Sequence, residues 1–346
     1  MSVPTPLAWV LLALAFFTAG ILRHSHDRIL ASPFVSPVVG SLLFAAIVLL
    51  LLIAARERRL GPKRSHGVRV GTLTPILLML LVEKWLSLSL EVPVFSWLTR
   101  GRADDALLDA QYRAFAGGAL LLLCVLFGAV FSPAGRRTWR RARPGRWLPA
   151  AAGTLLVVSA TYILLAGASA ALGAGFALAW PRFDSLWLWI VGGQALRAVA
   201  EEAYYRGLLL AEMERLAPRL GAHAASTRRW AALLPTAALF SLEHMTAAPR
   251  LGQLDREIVF TFSLGLLLGI LVLATDNLHF AAGVHAYINW LLLGAAPRFV
   301  DPWGQAALPP GTYVGLTLIL AFVLAFLAQS TPLQRPATGQ LSKVRR

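Results

Sequence analysis

Glu201-Glu202-Ala203-Tyr204-Tyr205-Arg206 places two adjacent carboxylates and a guanidinium inside a segment, 185–213, that otherwise reads as membrane-spanning. Ionisable groups at membrane depth are expensive, so such a cluster points to function first. Helical spacing sorts its members. Glu202 and Arg206 are four apart with the glutamate on the N-terminal side, the favourable order for an ion pair. Glu201 is turned about 100° away on a helix of 3.6 residues per turn. The expectation is that Arg206 neutralises Glu202 and leaves Glu201 for chemistry. Arg197, four residues before Glu201, is a rival partner for it. The competing reading is a buried ion-pair network that only fixes helix packing.

Two later apolar segments are also interrupted, by Phe240-Ser241-Leu242-Glu243-His244 and by His285-Ala286-Tyr287-Ile288-Asn289. His285 and Asn289 are four apart and share a helix face. A single histidine in an apolar span is usually a packed, hydrogen-bonded residue. Three polar positions on three helices are harder to assign to packing together. The chemistry they suit is hydrolysis. Glu201 is the candidate general base on a water, His244 the group that orients the water or carries its proton, and His285 with Asn289 the donors to a developing oxyanion. Glu201, His244 and His285 also have the composition of a catalytic zinc triad with an open fourth position. Their spacing is not that of H-E-x-x-H, and nothing in the sequence requires zinc. The expectation is therefore no cofactor, with zinc as the alternative.

The elements that must position these groups follow from composition. The 346 residues are 57% hydrophobic and 14% charged, with mean hydropathy +0.65, too apolar for an ordinary soluble domain. The expected fold is all-α, a polytopic transmembrane helix bundle. Apolar runs at 7–22, 35–55, 70–90, 115–131, 147–180, 185–213, 230–247, 258–275, 278–294 and 311–328 give about ten spans. The first run is read as a retained helix and not a signal peptide. Glu83-Lys84 in the third run is read as a mutually paired or snorkelling couple. Ten spans put both termini on one side. With the Arg56–Arg69 and Arg136–Arg146 loops cytoplasmic, most of the 32 Lys+Arg fall on the cytoplasmic side, as the positive-inside rule predicts. That distribution accounts for the net charge of +15 by basic loops facing an anionic leaflet. No basic stripe with a nucleic-acid reading motif is present, so no nucleic-acid partner is expected. Cys124 is the sole cysteine, which excludes a disulfide framework or a cysteine metal site within one chain.

Glu-Glu-x-x-x-Arg, then Phe-x-x-x-His, then His-x-x-x-Asn, in that order and each on an expected span, resemble the signature of the CAAX protease and bacteriocin-processing family of intramembrane proteases, which includes the type II CAAX prenyl endopeptidases. The resemblance covers about 184–296, and Gly265 and Gly269 also fit it. It implies that Glu201 is the catalytic base, His244 the histidine that helps activate water, His285 and Asn289 the oxyanion-stabilising pair, and Glu202 with Arg206 a supporting position. The family has been described both as metalloprotease and as a glutamate-type protease without metal, and the metal-free description is preferred here. The expected division is a catalytic core over 148–330 that resembles this family, an N-terminal region of about four spans over 1–147 with no assigned role, and, from composition, a polar basic tail over 331–346. The expected partners are the lipid bilayer and a membrane-anchored or lipidated peptide substrate, and the expected location is a bacterial inner membrane. The rival functions are a proton-coupled carrier using the same groups as a relay, and an immunity or scaffold protein on the same fold. Counted along these spans, Glu201 and His244 sit at depths differing by about 10 Å at 1.5 Å rise per residue, an offset the fold must absorb for the two to meet.

Overall fold

The computed structural model describes residues 2–24, 35–59, 68–86, 106–130, 177–181, 183–244, 254–275, 277–293 and 298–300, with isolated positions 163, 167 and 171. The architecture is all-α. Helix α1 spans Thr5–His24, α2 Val35–Arg59, α3 Val70–Leu86 and α4 Ala106–Val130. Helix α5, Ser185–Glu202, continues without a break through a π-helical stretch, Ala203–Leu209, into α6, Leu210–Leu216. After a 3-10 turn, Ala217–Leu220, come α7, Ala225–His244, then α8, Leu254–Thr275, and α9, Leu278–Leu293.

Local chemistry sets the starts and stops. Asp184, in extended conformation, caps α5 by accepting a 2.8 Å bond from Trp187 N through Oδ1. Asn277 does the same for α9, accepting from the backbone N–H of His279 at 3.0 Å and of Phe280 at 3.3 Å. Gly221 ends the 3-10 turn with φ of 91°, a left-handed conformation that glycine adopts at little cost.

The expected runs at 7–22, 35–55, 70–90, 230–247, 258–275 and 278–294 each coincide with a helix to within a few residues. Two runs differ. Helix α4 starts at Ala106, nine residues before the apolar run at 115. Asp109 and Arg113 mark where polarity changes, and the backbone stays helical through them because Ala110 is buried and α5 packs on that turn. The run at 147–180 does not stay helical to its end, since Ala177–Ala179 is a strand paired antiparallel with Arg298–Val300. A second two-stranded ladder pairs Ser2–Val3 with Val68–Arg69. The remainder of 147–180, the run at 311–328 and the 331–346 tail lie outside the described residues.

Helix α4 packs on α5, α5 on α9, α7 on α8, and α1 on α7. Small residues allow the closest crossings, as is usual for helices in membranes. A Cβ on Gly117 of α4 would lie 2.9 Å from Arg197 Cα of α5, and one on Gly265 of α8 would lie 3.1 Å from Ala237 Cα of α7. Gly117→Ala is therefore expected to push α4 away from the turn carrying Arg197 and to cost about 1–3 kcal/mol through overpacking. An unchanged thermal-unfolding midpoint in detergent would count against so tight a contact.

Outward faces of α1, α2 and α4 carry apolar side chains, with Leu42 and Leu52 more than 60% exposed and Leu122 at 60%. By length and composition, one described stretch, Ala110–Gly128, suffices to cross a membrane, and Thr5–Phe16, Ser41–Ile53, Ile258–Leu273 and Leu278–Leu293 are shorter apolar stretches.

Candidate active site

The π-helical stretch begins immediately after Glu202. Such insertions recur at functional sites, because the extra residue in the turn re-aims side chains that a straight helix would keep in register. Glu201 and Glu202 occupy the last turn of α5 before it, and both are buried.

Glu202 is fully enclosed. Its Oε1 accepts from Arg206 Nη1 at 2.8 Å and from His285 Nδ1 at 2.9 Å. The same guanidinium donates through Nη2 to Gly265 O at 3.0 Å, and it lies 4.6 Å from the centroid of the Phe240 ring, a cation–π distance. The ion pair expected from the four-residue spacing is thus present, and it ties α5, α8 and α9 together.

Glu201 is not left unpaired. Its Oε1 accepts from Arg197 Nε at 2.6 Å, so the rival partner noted in the sequence is the one it takes. Oε2 faces the histidines, 3.6 Å from His244 Nε2 and 3.5 Å from His285 Nε2. The depth offset expected between Glu201 and His244 is absorbed, since the two side chains meet.

The outer nitrogens of both rings have fixed roles. His244 Nδ1 lies 2.7 Å from Phe240 O, and a carbonyl only accepts, so Nδ1 carries a proton. His285 Nδ1 donates to the Glu202 carboxylate by the same argument. In neutral rings both Nε2 atoms then present lone pairs towards a carboxylate oxygen. A bound water, with two protons to donate, satisfies two of these three acceptors at once. The Phe240 ring holds the pair in place, with its centroid 4.2 Å from that of His244 and 5.7 Å from that of His285.

Asn289 lies one turn beyond His285 on α9, and its Nδ2 donates a long 3.4 Å bond to Gln194 Oε1 of α5. It does not reach Glu201 directly. The structure thus gathers Glu201, Glu202, Arg206, His244 and His285 into one cluster, with Asn289 at its edge.

Residues 183–291 match the family model described as type II CAAX prenyl endopeptidase Rce1-like. This segment is an Rce1-like domain of a peptidase family. The match takes in Glu201, His244, His285 and Asn289 and spans about a third of the chain. It overlaps the 184–296 segment in which the three motifs fall. The family is integral to membranes. No curated protein and no solved structure matches the chain.

For the zinc alternative, the Rce1-like domain offers the right donor types in Glu201, His244 and His285. Among the described residues, no group of three or more His, Cys, Asp and Glu side chains is arranged to hold a metal ion.

Sequence reasoning missed a second polar layer. Lys84 of α3, 3% exposed, pairs with Glu83 at 2.7 Å and with Glu243 of α7 at 2.8 Å. Tyr205 Oη donates to the other Glu243 oxygen at 2.5 Å. Mutual pairing of Glu83 with Lys84 was expected, but the bridge from Lys84 to the residue beside His244 was not. The available signal was Glu243 itself, a further carboxylate in an apolar span with no partner at helical spacing.

Proposed function

We propose that the protein is an intramembrane endopeptidase that hydrolyses a peptide bond in a membrane-anchored or lipidated peptide. The observation that carries this reading is the convergence of Glu201 Oε2 with the Nε2 atoms of His244 and His285, each ring oriented by an acceptor at Nδ1. Peptidase-family membership of residues 183–291 supports the reaction class.

Glu201 takes a proton from the bound water, whose oxygen attacks the scissile carbonyl carbon. His244 Nε2 accepts a hydrogen bond from the same water and fixes its direction. The proton taken by Glu201 is shared with His285 Nε2, 3.5 Å from its Oε2, so that His285 Nε2 donates to the oxyanion together with Asn289 Nδ2, whose bond to Gln194 is long enough to exchange. The C–N bond then breaks, the amine takes up the proton drawn from the water by Glu201, and a carboxylic acid and an amine leave. Arg197 and the Arg206–Glu202 pair hold the two adjacent glutamates apart in role, one facing the histidines and one locked behind them.

About ten spans, both termini cytoplasmic, a catalytic core over 148–330 and an N-terminal region over 1–147 complete the reading. The apolar outward faces of α1, α2 and α4 support lipid contact. A bacterial inner membrane fits the basic loops. A metal-free glutamate mechanism predicts that cleavage persists undiminished in 1,10-phenanthroline or EDTA; restoration of a chelator-lost activity by zinc would replace it with a metal mechanism. The reading as a whole is tested by comparing protein termini in membranes and secreted fractions of cells carrying wild type or Glu201→Gln. Termini present only with wild type support it and identify the substrate, whereas identical termini with both proteins folded shift the assignment to a carrier or scaffold.

A further inference from the structure

A cavity of about 70 Å³ opens beside Glu201 and His244, between the N-terminal helices α3 and α4 and the helices of the Rce1-like domain. Three carboxylates line it, Glu83, Glu201 and Glu243, against one guanidinium, Arg197. Tyr112, Tyr204 and Tyr205 also line it. Tyr204, one of these lining residues, has its Oη buried with no hydrogen-bond partner among the described residues, an expense that structures rarely carry without a ligand or water to relieve it. The tyrosines and carboxylates together form a wall suited to a cation that donates hydrogen bonds. One water occupies about 10–15 Å³ on this measure of volume, so the cavity has room for an ammonium and its neighbouring methylenes. It is too small and too polar for a prenyl chain.

We propose that this cavity is a specificity subsite that receives a cationic group of the peptide substrate, a lysine side chain close to the scissile bond. The inference rests on the endopeptidase reading for its substrate, and it gives the N-terminal region a role. Glu83 and Glu243, held from behind by the Lys84 ammonium, face the incoming cation. The Tyr204 hydroxyl accepts a hydrogen bond from it. Glu201 and His244 form the wall shared with the reacting centre, so the cation is anchored within a few bonds of the attacked carbonyl.

The test uses the full-length protein in detergent micelles and a set of fluorescent membrane-tethered peptides. Each carries lysine at one position near its centre, with norleucine and glutamate as partners at that position. Cleavage is read by mass spectrometry and binding by anisotropy. At one position lysine is expected to exceed norleucine by about tenfold, the worth of one charge-assisted hydrogen bond in a buried site. Glu83→Gln is expected to shrink that ratio to about twofold, and Tyr204→Phe, which removes only an unpaired hydroxyl and so threatens folding least, to lower it in part. Cleavage with equal rates for lysine and norleucine at every position overturns the subsite and leaves the protease reading intact. Preferential, Glu83-dependent binding of the lysine peptide without any cleavage retains the subsite and overturns the protease reading. Neither preference nor cleavage overturns both.

Discussion

Glu201→Gln is expected to lower peptide cleavage by about 10²–10⁴-fold, the usual worth of a positioned general base, while leaving the protein folded. The amide keeps the size of the carboxylate, and its oxygen still accepts from Arg197, but it cannot take a proton from water. The structural cost is small because Arg197, whose side chain is 27% exposed, is left without its counter-charge but not without solvent. Turnover of a tethered peptide and the thermal-unfolding midpoint, measured side by side, separate the two effects. A variant that retains more than a tenth of wild-type turnover would show that Glu201 is not the base. His244→Ala tests the neighbouring role, since loss of a group that only directs the water leaves Glu201 able to act slowly on a poorly held one.

Much of this site was legible in the sequence because helical periodicity is rigid. Four-residue spacing dictates that Glu202 meets Arg206, and the pair forms even though a π-helical stretch starts between them. The same spacing puts Asn289 one turn from His285. What could not be read was any relation between helices distant in the chain. His285 Nδ1 on Glu202 joins residues 83 apart, and Arg206 on Gly265 O joins residues 59 apart. No local pattern encodes either. The π-helical stretch was equally hidden, since no local pattern announces it; in the structure α4, α7 and α9 all pack against it. Glu83 and Lys84 illustrate the limit best: adjacent in sequence, they invite a local pairing, and the partner that links them to the histidine, Glu243, lies on a helix more than 150 residues later. The strand at Ala177–Ala179 escaped for a related reason, because an apolar run is compatible with either a helix or a strand until its partner, Arg298–Val300, is known.

Arg206→Met should have the largest effect on stability. It leaves the Glu202 carboxylate, 0% exposed, with His285 Nδ1 alone for support, and it orphans the Gly265 carbonyl. Removing one partner of a buried pair costs about 3–5 kcal/mol, a large share of the roughly 5–15 kcal/mol that holds a typical domain folded. The protein is expected to accumulate poorly and to unfold at a markedly lower temperature in detergent. Arg206→Lys should recover only part of the loss. One ammonium retains the charge, but it lacks the planar fork that reaches Glu202 and Gly265 O together while lying over the Phe240 ring. The double variant Glu202→Gln with Arg206→Met decides the interpretation. Replacing both members of a buried ion pair by neutral groups of similar volume is often close to neutral, so the double variant should be more stable than Arg206→Met alone. It should still cleave more slowly than wild type, because His285 Nδ1 then faces an amide and the ring loses the anion that supports it when doubly protonated. A double variant as unstable as Arg206→Met would mean that the guanidinium acts through the Phe240 ring and the Gly265 carbonyl, and not by neutralising Glu202.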